Sequence, residues 1–242
     1  MPLSVRITSH SGGAQLLIAA TLLTALLPGG VASAANPDPG ADLEARAAAV
    51  TPDPAHGRIL YLKHCAACHR AQAWGDGPRE IPALAGQRER YLLEQLARYA
   101  TGERAGSVKH GSAMHDTLQA PDLNRPQALA DLAAYLVRAA RNPEPERSEG
   151  RALAAGKRTY TRACSGCHGS DGAGSDREAI PAIGGQHYSY VLAQLGAIAA
   201  GRRAHPPYVE LRTAPSAEEQ QALADYIARL AYLTSLNAVH TP

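Results

Sequence analysis

The sequence predicts an all-α protein that consists of two copies of one small domain. Apolar residues recur at helical spacing in both halves, as Leu129, Leu132, Ala133 and Leu136 do in the first. No run of residues alternates between apolar and polar side chains as a half-exposed β-strand would. A third observation is an internal repeat, in which residues 99 positions apart match.

The repeat sets the domain boundaries. Its matches include Gly57 with Gly156, Tyr61 with Tyr160, residues 81–87 with 180–186, and Tyr91, Gln95 and Arg104 with Tyr190, Gln194 and Arg203. We therefore predict a first domain at 56–141 and a second domain at 151–233. The segment 142–150 is polar and contains prolines, which is typical of a linker.

The first 34 residues have the pattern of a secretory signal peptide. A weakly basic start precedes an apolar run from Ala14 to Leu27, and the small residues at 32–34 resemble a cleavage site. The apolar run is shorter than the about 20 residues that a membrane-spanning helix needs. We therefore predict cleavage after residue 34, export to the periplasm and no membrane span afterwards. Residues 35–55 are predicted to be a flexible lead-in and residues 234–242 a tail.

Each half contains one Cys-x-x-Cys-His segment, at 65–69 and 164–168, and together these hold all 4 cysteines. Two cysteines three residues apart lie close together on a helical turn and can bind the vinyl groups of one haem. The adjacent histidine can bind the haem iron. A zinc site would need four ligands, and a redox disulfide would not need a histidine. The predicted attachment sites of two covalent haem c groups are Cys65, Cys68, Cys164 and Cys167, with His69 and His168 as iron ligands.

Haem would also supply the core that these domains otherwise lack. Each half spans about 85 residues, and domains of this size bury a limited share of their surface. The chain contains no phenylalanine. We therefore interpret the apolar helix faces as haem pocket and core, and not as a membrane surface.

The charge composition argues against nucleic-acid binding. The chain has 24 Lys and Arg against 22 Asp and Glu, and the basic residues are dispersed. Two haems predict redox proteins as partners, such as an oxidase, a reductase or a dehydrogenase. Peripheral association with a membrane stays open.

Met114 is the predicted sixth iron ligand in the first half. Apart from Met1, it is the only methionine of the chain, and it lies between the haem motif and the last helix of its domain. Methionine is a common partner of histidine at haem iron. His110 and His115 flank it and are the alternative ligands, although an exposed loop position would explain both.

The chain resembles the dihaem cytochrome c4 family and its close relatives over both predicted domains. The resemblance rests on the paired haem motifs, the Pro-Ala-x-x-Gly-Gln segments from Pro82 and Pro181, the Tyr-Leu-x-x-Gln-Leu run from Tyr91, and Leu-Ala-Ala-Tyr at 132–135. It implies a periplasmic electron carrier made of two class I cytochrome c domains, each wrapped around one haem. It also implies that the carbonyls of Pro82 and Pro181 accept hydrogen bonds from the proximal histidines. The family pattern has His and Met ligands at both haems.

The second half departs from that pattern because it has no methionine. Its loop is also shorter, since the offset between matching residues falls from 99 to 91 before the final helix. Counted back from that helix, Met114 matches His205, whereas the family's usual spacing points near Tyr208. Three alternatives stay open for the second haem: His205, Tyr208 or an open sixth position. His187 matches a histidine that the family carries without using it as a ligand.

These ligands predict a lower potential for the second haem, because methionine raises the potential of haem iron. The leading interpretation is a carrier of single electrons that performs no bond chemistry itself. One alternative is the cytochrome subunit of a dehydrogenase, such as flavocytochrome c sulfide dehydrogenase. Another is a second haem that binds a small ligand or is catalytic, although the loop holds only Glu210 and Arg212 as nearby charges.

Overall fold

The computed structural model describes residues 38–104, 106, 109–205 and 216–239. The predicted signal peptide therefore lies outside the described residues. Within these ranges the protein has ten α-helices and no strand, which confirms the all-α prediction. None of the described helices is both long and apolar enough to cross a membrane. The helices are α1 Pro39–Ala48, α2 Pro54–His64, α3 Ala66–His69, α4 Glu89–Ala100, α5 Ala113–Leu118, α6 Pro126–Arg138, α7 Leu153–Ala163, α8 Ser165–His168, α9 Tyr188–Ala199 and α10 Ala217–Val239, with a 3-10 turn at Gly77–Arg79.

In each domain the helix before the haem motif crosses the last helix, α2 with α6 and α7 with α10. A glycine lies at each crossing. A β-carbon on Gly57 would lie 1.9 Å from the carbonyl oxygen of Asp131, and one on Gly156 would lie 2.1 Å from that of Ala222. The two helices therefore touch backbone to backbone, which explains why the repeat has glycine at this position.

The last helices bury the apolar faces that their sequences predict. Leu129, Leu132, Ala133 and Leu136 of α6 are all at most 2% exposed. Leu223, Tyr226, Ile227 and Leu230 of α10 are also buried, at most 8% exposed. A tyrosine pair packs beside each crossing, with ring centres 5.4 Å apart for Tyr61 and Tyr135 and 5.5 Å apart for Tyr160 and Tyr226.

The lead-in predicted at 35–55 contains an ordered helix, α1, and here the structure differs from the sequence prediction. The Asp38 carboxylate caps this helix by accepting from two backbone N–H groups, and Pro39 begins its first turn. Leu43 and Ala47, one turn apart, are buried in the first domain's core. The Pro- and Ala-rich composition that suggested mobility is also that of a short, capped helix with one apolar stripe.

The linker and the predicted tail are also structured in part. Two linker residues bond to the second domain: Ser148 N–H donates to Asp225 at 2.9 Å, and Glu146 N–H donates to His187 Nδ1 at 2.9 Å. At the other end, α10 continues to Val239, so that residues 234–239 extend the last helix. The second domain therefore holds the linker along its surface.

Replacing Asp131 by alanine is expected to lower the free energy of unfolding by about 3 kcal/mol, because a buried carboxylate with several donors is lost. Asp131 is 1% exposed and accepts from Asp53 N–H (2.6 Å) and Gln127 Nε2 (2.8 Å), with His56 Nδ1 at 2.7 Å. Guanidinium unfolding of the haem-loaded protein measures the change. The control is Asp42→Ala, which removes an exposed ion pair on α1 and should cost less than about 1 kcal/mol.

The contribution of Asp131 should also depend on pH. Burial raises the pKa of this carboxyl group, but its hydrogen bonds outweigh burial and the net pKa is lowered. The stabilisation is therefore fully present above the pKa of an unfolded aspartate, about 3.9, and is lost as the pH falls through the lower folded value. Equal stability losses for the Asp131 and Asp42 variants at pH 7 would contradict this account.

Two candidate haem sites

Each Cys-x-x-Cys-His segment forms a single helical turn directly after a longer helix. In the first turn, α3, the N–H of His69 donates to the carbonyl of Cys65 at 2.9 Å. In the second, α8, the N–H of His168 donates to the carbonyl of Cys164 at 2.9 Å. One closed turn thus holds both cysteines and the histidine together in each domain, as the spacing predicts.

The surroundings of Cys65 and Cys164 favour the uncharged form of the sulfur atom. Burial, with a smaller effect of Cys68, raises the pKa of the Cys65 thiol to about 12. Burial also raises the pKa of Cys164 to about 11. No disulfide joins the four cysteines. A thioether to haem is uncharged, so it suits these buried positions, where a thiolate would be costly.

The proximal histidines are held in one orientation by backbone carbonyls. His69 Nδ1 lies 3.1 Å from the oxygen of Pro82, and His168 Nδ1 lies 3.0 Å from that of Pro181. Because a carbonyl can only accept, Nδ1 carries the proton in both rings and Nε2 keeps its lone pair for a metal. Burial lowers the pKa of both histidines below the ordinary value. The expected hydrogen bonds to the two prolines are confirmed.

A tyrosine closes the turn that follows each motif. The hydroxyl of Tyr61 donates to the carbonyl of Arg70 at 2.7 Å, and that of Tyr160 donates to the carbonyl of Gly169 at 2.6 Å. Arg70 and Gly169 have φ values of 66° and 81°, positive values that residues with a side chain rarely adopt. The repeat marked both tyrosines, and the structure supplies the reason.

Met114 lies on α5 and packs against the core of the first domain, half-buried. Each flanking histidine has a backbone partner. His115 Nδ1 lies 2.8 Å from the oxygen of Tyr99, and His110 Nε2 lies 2.6 Å from that of Arg79. Met114 packs against the same apolar cluster as Cys65 of the first haem motif.

In the second domain the structure brings His205 to His168. The centres of the two imidazole rings are 6.2 Å apart, and the rings are inclined by 38°. Two imidazoles that bind one metal ion from opposite sides, through metal–nitrogen bonds of about 2.0 Å, have ring centres about 6.3 Å apart. The spacing therefore fits a shared metal ion. Tyr208, Glu210 and Arg212 lie outside the described residues.

Two other residues that the sequence brings to attention have structural contacts. His187 is buried; its Nδ1 accepts from the N–H of Glu146, and its Nε2 donates to the carbonyl of Trp74 at 2.6 Å. With both ring nitrogens engaged by backbone, His187 has no lone pair left for iron. The indole of Trp74 donates to the carbonyl of Ala140 at 2.8 Å.

Sequence reasoning missed a cationic cluster formed by both domains. Arg104 donates to Gln95 at 2.6 Å and lies over the Tyr99 ring, and Arg203 donates to Tyr91 of the other domain at 2.8 Å. Within the described part of the chain, no carboxylate forms an ion pair with either guanidinium. Half-buried cations of this kind fit a group that brings its own carboxylates, and each haem carries two propionates. The repeat of Arg104 as Arg203 was the available signal.

Comparisons with known proteins agree with this arrangement. Residues 54–140 match the family model described as "Cytochrome c", and residues 151–227 match "Cytochrome C oxidase, cbb3-type, subunit III". Cytochrome c4 of Azotobacter vinelandii is 34% identical over 148 residues, which cover 57% of this chain and 69% of that protein. The "Thiosulfate dehydrogenase electron acceptor" of Thiomonas intermedia is 32% identical over 176 residues, which cover 68% and 77%.

A solved structure extends the similarity to the fold. The crystal structure of reduced recombinant cytochrome c4 from Pseudomonas stutzeri has a TM-score of 0.61 and 27% sequence identity, covering 74% of this chain and 98% of that one. The fold similarity, the two matched family models and the paired haem motifs with their buried histidines all support the same family. The chain belongs to the cytochrome c4 family, and it is an electron-transfer cytochrome with two covalently bound haem c groups.

Proposed function

We propose that this chain is an exported, periplasmic electron carrier whose two haems have different sixth ligands and therefore different potentials. The first haem would be held by His69 and Met114, and the second by His168 and His205. The observation that carries the proposal is the 6.2 Å spacing of the two imidazole rings in the second domain. The signal-peptide pattern of the first 34 residues supports the location.

Bound haem supplies an iron that accepts and releases one electron at a time, and the protein residues set how readily it does so. Methionine favours the reduced iron more than imidazole does, so Met114 gives the first haem the higher potential. The carbonyls of Pro82 and Pro181 fix the proximal rings in both domains alike. A difference in potential between the haems would therefore come from their sixth ligands, Met114 and His205, and electrons would flow from the second haem to the first.

A redox titration followed by visible spectra is expected to give two separate one-electron waves. Axial ligands move haem potentials over a range of about 0.8 V, so a His–Met and a His–His haem should be resolved. Met114→His should lower the upper wave and leave the lower one in place, because only the first haem changes its ligand. Two overlapping waves at high potential in the unaltered protein would contradict the proposal.

A second candidate function is that of the electron-accepting partner of a dehydrogenase. It is favoured by the similarity to the "Thiosulfate dehydrogenase electron acceptor" of Thiomonas intermedia. The test is stopped-flow reduction of the oxidised protein by a purified thiosulfate dehydrogenase, with a flavocytochrome c sulfide dehydrogenase flavoprotein as the comparison donor. Fast reduction by one donor alone would favour that pairing. Slow reduction by both would leave the free carrier as the function.

A further inference from the structure

Two glutamines form hydrogen bonds between the domains. Gln87 of the first domain binds Ala182 of the second, and Gln186 of the second domain binds Ala83 of the first. Gln87 Oε1 accepts from the N–H of Ala182 at 2.7 Å, and its Nε2 donates to the carbonyl of Ala182 at 2.9 Å. Gln186 makes the same two bonds to Ala83, both at 2.9 Å. We call these four hydrogen bonds the glutamine clasp. Its two halves are equivalent by the repeat, because each glutamine and each alanine lies 99 positions from its counterpart.

The orientation of each amide in the clasp is fixed. Gln87 Oε1 also accepts from the N–H of Arg88 at 2.9 Å, and Gln186 Oε1 from the N–H of His187 at 3.0 Å. Each oxygen therefore faces two N–H donors while each nitrogen faces a carbonyl, and a flipped amide would satisfy none of them. Both glutamines are at most 9% exposed, and hydrogen bonds of groups with little solvent access are electrostatically stronger than those in water.

The clasp reaches the proximal histidines through one peptide group in each domain. The peptide between Pro82 and Ala83 accepts from His69 at its oxygen and donates to Gln186 at its nitrogen. The peptide between Pro181 and Ala182 links His168 to Gln87 in the same way. Each series of hydrogen bonds thus runs from the proximal histidine of one domain, across a single planar peptide, to a glutamine of the other domain.

Hydrogen bonds that share a peptide strengthen one another. Donation by the N–H places more negative charge on the carbonyl oxygen, because the amide group is conjugated. A more negative oxygen binds the histidine Nδ1–H more strongly, and this makes Nε2 a better electron donor to a metal. A stronger donor favours ferric over ferrous iron, so the contact lowers the haem potential.

We infer that Gln87 and Gln186 are positioning residues that tune the haem of the opposite domain. Gln87 lowers the potential of the second haem through His168, and Gln186 lowers that of the first haem through His69. The potential of each haem therefore depends on whether the hydrogen bonds of the glutamine clasp are formed. This inference uses only the proximal histidines and does not depend on which residues are the sixth ligands.

The test replaces each glutamine by methionine, which keeps its length and removes its hydrogen bonds. Gln87→Met is expected to raise the potential of the second haem and to leave that of the first unchanged. Gln186→Met is expected to raise the potential of the first haem and to leave that of the second unchanged. The haem potentials are assigned by spectroelectrochemistry together with proton NMR. The signal of the affected histidine's Nδ1–H should move toward that of a weaker hydrogen bond.

The control is Gln127→Met, which removes bonds from Gln127 Nε2 to the carbonyl of Thr51 and to Asp131 within the first domain and touches neither a proximal peptide nor α5. It should leave both potentials in place. A shift of the haem in the mutated domain, or an equal shift of both haems, would overturn the inference. If one glutamine variant does not fold, the reciprocal variant still decides between these outcomes.

Discussion

Replacement of His205 by alanine is expected to abolish the low-spin ferric spectrum of one haem and to leave that of the other intact. The rings of His205 and His168 are spaced as two ligands of one metal ion are. Alanine offers no ligand, so the second haem should become high-spin when oxidised. When reduced, it should bind about one carbon monoxide per protein, since an open iron position accepts this gas.

The matched control is His110→Ala, in the corresponding loop of the first domain. Its Nε2 bonds to the carbonyl of Arg79, so its loss should leave both haems low-spin. Met114→Ala should open the first haem and not the second. If the unaltered protein already has a high-spin haem that binds carbon monoxide, the open-site alternative is correct. If His205→Ala leaves both haems low-spin, Tyr208→Phe tests the remaining sequence candidate.

Replacement of Gly57 by alanine is expected to lower the free energy of unfolding by about 3 kcal/mol or more, because the added carbon cannot fit without moving two helices apart. It would lie 1.9 Å from the carbonyl oxygen of Asp131, far inside van der Waals contact. The oxygen belongs to the backbone of α6 and cannot turn aside as a side chain would. Guanidinium unfolding of the haem-loaded protein measures the loss.

Gly166→Ala is the control for this change. A β-carbon at Gly166 would meet no atom within 4 Å, and the first haem motif already has alanine at the matching position, Ala67. Alanine is also a better helix former than glycine by about 1 kcal/mol. The control should therefore be neutral or slightly stabilising, and a comparable loss in both variants would show that crowding at the crossing is not the cause.

The sequence predicted the helices and the proximal sides of both haem sites because these depend on short-range spacing. Cys-x-x-Cys-His occupies one turn wherever it forms a helix, and the apolar positions of α6 mark its buried face. The helix α1 was missed because its stabilisation comes from contacts with α4 and α6, which are distant in sequence. A local composition count cannot register such contacts.

The sixth ligand of the second haem and the contacts between the domains were harder to predict. The loop that holds His205 differs in length from its counterpart, so the repeat could not align it with Met114 unambiguously. The roles of Gln87 and Gln186 depend on atoms of the other domain, about 100 positions away in the chain. The repeat identified them as matching residues, but their role follows only from the three-dimensional contacts.

The equivalence of the two halves of the clasp bears on how a protein of this kind can arise. Each domain carries both partners of the contact, a glutamine and an alanine peptide, so the surface is complementary to itself. Such isologous contacts are those of two-fold symmetric homodimers. A single-haem ancestor with this surface could pair with its own copy. Fusion of the two genes then replaces a concentration-dependent dimer by a permanent one, because the contact becomes intramolecular.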